Sequence, residues 1–177
     1  MAVLEILEVP HPGLRAVAKP VDTVDDAVKK IVADMFDTMY DARGIGLAAT
    51  QVAIEQRIVT IDLQEPESDA EDAKPVRRPH VFVNPEIVSV SEELSSYSEG
   101  CLSIPEQYAD VQRPARCRLK WLDEQGAGHE DEFDGLMATA IQHEIDHLNG
   151  VLFIDHISRL KREMVIKKFT KAAKIRA

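Results

Sequence analysis

Residues 134–150, DGLMATAIQHEIDHLNG, hold the pattern around which the rest of the chain is organised. Met137, Ile141, Ile145 and Leu148 recur at the spacing of a helix that buries one stripe. Asp134 is placed to cap the first turn, and Gly150 suits the left-handed position that ends a helix. Leu136, Thr139, His143 and His147 fall on a neighbouring stripe. Helix residues i and i+4 bring their Cβ atoms to about 5–6 Å, so His143 and His147 can present two imidazoles to one ion. Glu144 is turned about 100° around the axis. It is badly placed as a third ligand and well placed to exchange a proton with water beside the ion. His-Glu-x-x-His also arises by chance. The capped helix and its apolar neighbours weigh against chance here, because two buried imidazoles need partners for their ring nitrogens.

The third ligand sets the chemistry. One zinc-peptidase pattern continues as His-x-x-Gly-x-x-His; Gly150 fits, but the last position is Phe153. His156 lies beyond the helix-ending glycine, and the later acidic candidates are Asp155 and Glu163. Cys101 is stronger. It sits in Glu99-Gly100-Cys101-Leu102-Ser103, a polar setting where glycine permits close backbone approach. Cys117 alternates with Leu119 and Trp121 on the apolar side of a strand and reads as structural. Two cysteines make no disulfide framework, which points to a reducing compartment.

Working outward, Thr23-Val24-Asp25-Asp26 resembles a capping box opening an amphipathic helix over 25–41. Residues 57–62 are rich in β-branched side chains and read as a strand. So do 80–83 and 86–90, with a turn or bulge at Asn84-Pro85, and 117–121. The polar, acidic stretch 64–79 reads as a surface loop. A last helix is expected over 158–174, with Val165, Phe169 and Ala172 on one side. Short strands followed by a buried helix indicate an α+β domain: short antiparallel strands around a central helix carrying the histidine pair, and a C-terminal helix. A chain of 177 residues fits one domain over 1–177.

The apolar fraction of 45% and charged fraction of 29% are those of an ordinary soluble protein. No apolar run reaches the roughly 18 residues of a membrane span, and no secretory leader is legible, so a cytoplasmic location is expected. The net charge of −10 is unevenly spread: residues 159–177 carry +7 and the rest −17. Such a basic segment on an acidic body suits an anionic partner such as a ribosome surface, or a solvated helix face.

Three segments carry a resemblance. Gly44-Ile45-Gly46-Leu47-Ala48-Ala49-Thr50-Gln51, Glu99-Gly100-Cys101-Leu102-Ser103 and Gln142-His143-Glu144-Ile145-Asp146-His147 resemble the three signatures of bacterial-type class I peptide deformylases, in order and spacing. The resemblance implies removal of the N-formyl group from N-formylmethionyl nascent peptides as formate. It implies metal ligands Cys101, His143 and His147, with Glu144 as acid/base. It also implies an oxyanion held by the Gln51 side-chain amide and the Leu102 backbone N–H. The implied metal is Fe²⁺, where the ligand chemistry alone would say zinc and would also accept nickel or cobalt. A methionine pocket is expected from Ile45, Gly46, Leu136, Thr139 and Ala140, and an ion pair of Glu99 with Arg113. The basic C-terminal helix is expected to touch the ribosome. The alternatives are a His-Glu-x-x-His zinc peptidase and a non-enzymatic binder with a closed, structural metal site.

Overall fold

Strand β2 (Ile58–Ile61) is buried at every position, which explains its unbroken run of β-branched residues. In the computed structural model, which describes residues 2–176, it lies within an antiparallel five-stranded sheet. Its neighbours are β1 (Gly46–Ala48) and β3 (His80–Val90), followed by β6 (Cys117–Leu122) and β7 (Gly128–Phe133). Strand periodicity sorts the side chains. Val59, Ile61, Phe82, Cys117 and Leu119 face helix α2 (Gly135–Leu148) and pack on its Ala138, Ile141, Ile145 and Leu148. Leu47, Ile58 and Val83 face the other way, onto Val28, Val32, Met35 and Met39 of helix α1 (Asp26–Asp41). The sheet is thus covered by a helix on each face.

A separate two-stranded ribbon, β4 (Leu94–Cys101) and β5 (Ile104–Pro114), packs on the side of α2 away from the sheet. Ile104 and Val111 join Leu14, Phe153 and Ile154 in a third cluster. Val165, Ile166 and Phe169 of helix α3 (Arg159–Arg176) pack on its outside. Helix α2 is therefore central, wedged between sheet and ribbon.

The architecture is the expected α+β one. The strand over 80–90 runs through Asn84-Pro85 with a register shift between Val83 and Glu86, the bulge that the Asn-Pro pair signals. One helix start moves: the cap of α1 is Asp25, whose carboxylate accepts from Val28 N at 3.0 Å, and not Thr23. Asp134 occupies the N-cap of α2 without a side-chain cap bond, and Gly150 takes φ +75° just past its end. No helix among the described residues is long and apolar enough to cross a membrane.

Candidate active site and metal centre

The ribbon delivers Cys101. At its tip Cys101 pairs with Ile104, leaving Leu102 and Ser103 as a two-residue turn. Ser103 N points at Cys101 Sγ at 3.4 Å. Further back, the register jumps from Glu99↔Ala109 to Cys101↔Ile104, so residues 105–108 bulge outward. Tyr108 lies over Gly100, where a Cβ would come within 2.5 Å of its ring. No larger residue fits beneath that ring without moving it.

Helix α2 supplies the other two groups. His143 Nε2 and His147 Nε2 lie 3.3 Å apart, and His147 Nε2 is 3.3 Å from Cys101 Sγ. Two nitrogens bonded to a tetrahedral ion at about 2.1 Å would be roughly 3.4 Å apart, so the spacing fits one ion. The tautomers agree. Glu99 Oε1 lies 2.8 Å from His143 Nδ1, and a carboxylate only accepts, so Nδ1 carries a proton, and in the neutral ring Nε2 keeps its lone pair for the cluster. Glu144 Oε2, beside the cavity, is buried with no hydrogen-bond partner among the described residues, a state that bound water or substrate commonly resolves. Three convergent donors, two imidazoles and a thiol, suit a divalent transition metal and leave a fourth position open.

Glu99 is held by Arg113, which donates from Nε at 2.7 Å and from Nη2 at 3.0 Å. The expected ion pair is present and almost wholly buried. Arg113 also donates from Nη1 to Asp146 at 2.9 Å, a link the sequence did not signal. Burial alone would raise the Glu99 carboxyl, and the hydrogen bonds from His143 and Arg113 reverse this, holding it below its ordinary value. Burial pushes Glu144 up to about 7, with the charges of Glu99 and Asp146 adding to it and those of His143 and Arg113 opposing. Burial also holds His147 well below the usual imidazole range.

Gln51 enters from a short 3-10 turn, Ala49–Val52, that follows β1. Its Oε1 accepts from Ala48 N at 2.9 Å, which fixes the amide orientation. Nε2 then faces Ser103 Oγ at 3.0 Å and Cys101 Sγ at 3.5 Å. The N-terminal segment ties these parts together: Leu7 N donates to Gln51 O at 2.7 Å and Val9 N to Ser103 O at 3.0 Å.

A cavity of about 450 Å³ opens above the cluster. Gln51, Cys101, Leu102, His143 and Glu144 line it, as do all five expected pocket residues, Ile45, Gly46, Leu136, Thr139 and Ala140. A Cβ at Gly46 would stand 2.8 Å from Glu144 Oε1, so the glycine makes room for the carboxylate. His147 belongs to the cluster of three donors but does not line the cavity. Arg43, Tyr97, Pro105, Glu106 and Tyr108 also line it and were missed, because the bulge that brings the last three together has no local sequence signature. Ser103 carries no local sign of its contact with Gln51, which depends on tertiary packing. A buried carboxylate beside water-accessible space, next to three metal-type donors and an oriented amide, is equipped to hydrolyse a carbonyl compound.

The comparisons agree on one family. Residues 3–163 match the polypeptide deformylase family. A peptide deformylase of Rhizorhabdus wittichii is 61% identical over 176 residues, covering 99% of this chain and 98% of the relative. The crystal structure of a peptide deformylase from Ehrlichia chaffeensis in complex with actinonin superposes with a TM-score of 0.87 at 37% identity, covering 97% of this chain and 98% of that one. A Met-Ala-Ser-bound class I type b peptide deformylase from Acinetobacter baumannii gives 0.79 at 34% identity, covering 88% and 99%.

Proposed function

The chain belongs to the polypeptide deformylase family, and from that premise we propose how its residues divide the work of hydrolysing the N-formyl group of N-formylmethionyl nascent peptides to formate. The observation that carries the proposal is the convergence of His143 Nε2, His147 Nε2 and Cys101 Sγ beneath a cavity that also holds Glu144. Cys101, His143 and His147 would hold one divalent ion. When bound, it supplies Lewis acidity to the formyl carbonyl and makes nearby water acidic enough to act near neutral pH. Glu144 takes a proton from a water in the cavity as that oxygen adds to the formyl carbon, and passes it to the amine nitrogen as the C–N bond breaks and formate leaves. The Gln51 Nε2–H and the Leu102 N–H donate to the oxygen on which negative charge develops; losing one such donor typically costs about 2.7–4 kcal/mol of barrier. Ile45, Gly46, Leu136, Thr139 and Ala140 receive the methionine side chain, in keeping with the Met-Ala-Ser peptide held by the Acinetobacter relative.

We propose Fe²⁺ as the resident ion because membership of the family implies it; two imidazoles and one thiolate would equally accept zinc, nickel or cobalt. Peroxide should inactivate the iron form far faster than the nickel form. The whole chain, 1–177, acts as one cytoplasmic catalytic unit. The basic residues of α3, several of them exposed, offer the contact to the ribosome, and binding should weaken as salt rises. The peptidase alternative lacks support: Phe153, at its third-ligand position, is packed in the core. Formate release from a formyl-Met peptide, comparing iron-loaded wild type with Glu144→Ala, tests the assignment. No formate from wild type would end it.

A further inference from the structure

Asp146 sits beside the ligand His147 but faces away from the cluster. Its Oδ2 accepts two donors at once: Arg113 Nη1 at 2.9 Å and His156 Nε2 at 2.8 Å. Arg113 holds Glu99, and Glu99 holds His143 Nδ1 at 2.8 Å. An unbroken series of charge-assisted contacts therefore runs His156–Asp146–Arg113–Glu99–His143, from a partly exposed ring to a ligand ring. Side-chain exposure along it falls from 37% at His156 and 24% at Asp146 to 5% at Arg113 and Glu99. Asp146 is the joint where burial gives way to solvent. Without a protein donor on its outer side, water competes for the oxygen that Arg113 needs.

His156 is well mounted for that task. It ends the 3-10 turn Phe153–His156. The preceding Asp155 is gripped by Arg15 at 2.6 and 3.2 Å and accepts from Leu152 N at 3.0 Å. Because a carboxylate only accepts, Nε2 of His156 carries a proton whether or not the ring is charged. His156 does not line the cavity.

We propose that His156 is a positioning residue for the metal centre: its hydrogen bond holds Asp146 against Arg113 and thereby keeps Glu99 aimed at His143. The inference rests on the reading of Cys101, His143 and His147 as ligands. Removing a direct partner of a ligand histidine typically costs about 10–100-fold in metal affinity or activity, so this more distant link is expected to be worth about 3–10-fold.

The test uses the full chain loaded with Ni²⁺ and measures ion release to an excess of chelator, together with kcat and KM. His156→Phe should release the ion about 3–10-fold faster and lower kcat at unchanged KM, whereas His156→Gln, which keeps a donor, should restore wild-type release within about 2-fold. Asp146→Asn should speed release as well, and the double variant His156→Phe/Asp146→Asn should add little to it, since both act on one link. Wild-type release from His156→Phe overturns the proposal, as does His156→Gln being impaired as badly as His156→Phe, or additive effects in the double variant. A wild type that takes up no ion overturns it together with the ligand assignment, so the two failures are distinguishable.

Discussion

Helix α2 and the β4–β5 ribbon supply donor side chains to the same cluster and hold them by different means. In α2, His143 and His147 ride on a helix whose adjacent stripe is packed into the main core, so local geometry and apolar burial position both rings. The ribbon's apolar anchorage is narrower, chiefly Ile104 and Val111 of β5 in the third cluster. Many of its positions alternate toward solvent, and its grip on Cys101 comes from Ser103 N, Gln51 Nε2 and the buried Glu99–Arg113 pair. Apolar spacing places a ligand locally, whereas a polar ribbon depends on partners far away in the chain. Damage to the helix side should therefore strike chemistry, and damage to the ribbon side should strike cohesion.

The sharpest contrast comes from Glu144→Gln, a change on the helix that preserves shape. Formate release should fall by about 10²–10⁴-fold while metal analysis finds the ion content of wild type. Loss of the ion would erase the distinction between the two supports. On the ribbon side, Arg113→Met strands the Glu99 carboxylate in a buried site. Urea unfolding should report a loss of about 3–5 kcal/mol, and adding Glu99→Gln should recover part of it. Recovery of nothing would mean that the pair matters only through its link to Asp146.

Acid should expose the same dependence more gently. The folded Glu99 carboxyl is held below its ordinary value of 4.5, so its stabilisation is fully present above about pH 4.5 and is lost as pH falls through the lower folded value. Melting temperatures measured across that acid range should fall less steeply for Glu99→Gln than for wild type; parallel slopes would remove Glu99 from the acid response. The smallest effect is a difference between the two thiols. Cys117, buried under the sheet, is pushed up to about 11 chiefly by desolvation. Iodoacetamide at pH 8 should label the partly exposed Cys101 of the metal-free protein and spare Cys117 until unfolding. Equal labelling of the native protein would contradict the packing of β6.

What could be read from residues follows the same division. Helix α2 and its histidine pair were legible because the helix's apolar residues repeat at a fixed period and are buried as that period requires, and β2 because its β-branched run is buried throughout. Strand β4 was not: Leu94-Ser95-Ser96-Tyr97-Ser98-Glu99 has no β-branched run and becomes a strand by pairing with β5. Strand β7, Gly128–Phe133, is almost entirely polar and forms at the sheet edge, where Glu130 pairs with Arg118 and Lys120 of β6. The motifs foretold which residues cluster at the site. They carried no sign that Arg113 would also bind Asp146, or that residues 105–108 would loop out to build a cavity wall, because both depend on register between strands.

The N-terminal segment has a consequence for the order of assembly. Ala2 and Leu4 bond to Asp34 and Thr38 of α1, while Leu7 and Val9 close onto Gln51 and Ser103. Each of these acceptors is made well after its donor, and contacts so remote in sequence tend to form late in folding. Residues 2–9 thus fasten the candidate site from the outside. Mechanical load applied at residue 2 would travel through them to Gln51 and the ribbon tip, so the protein is best tethered from the end of α3.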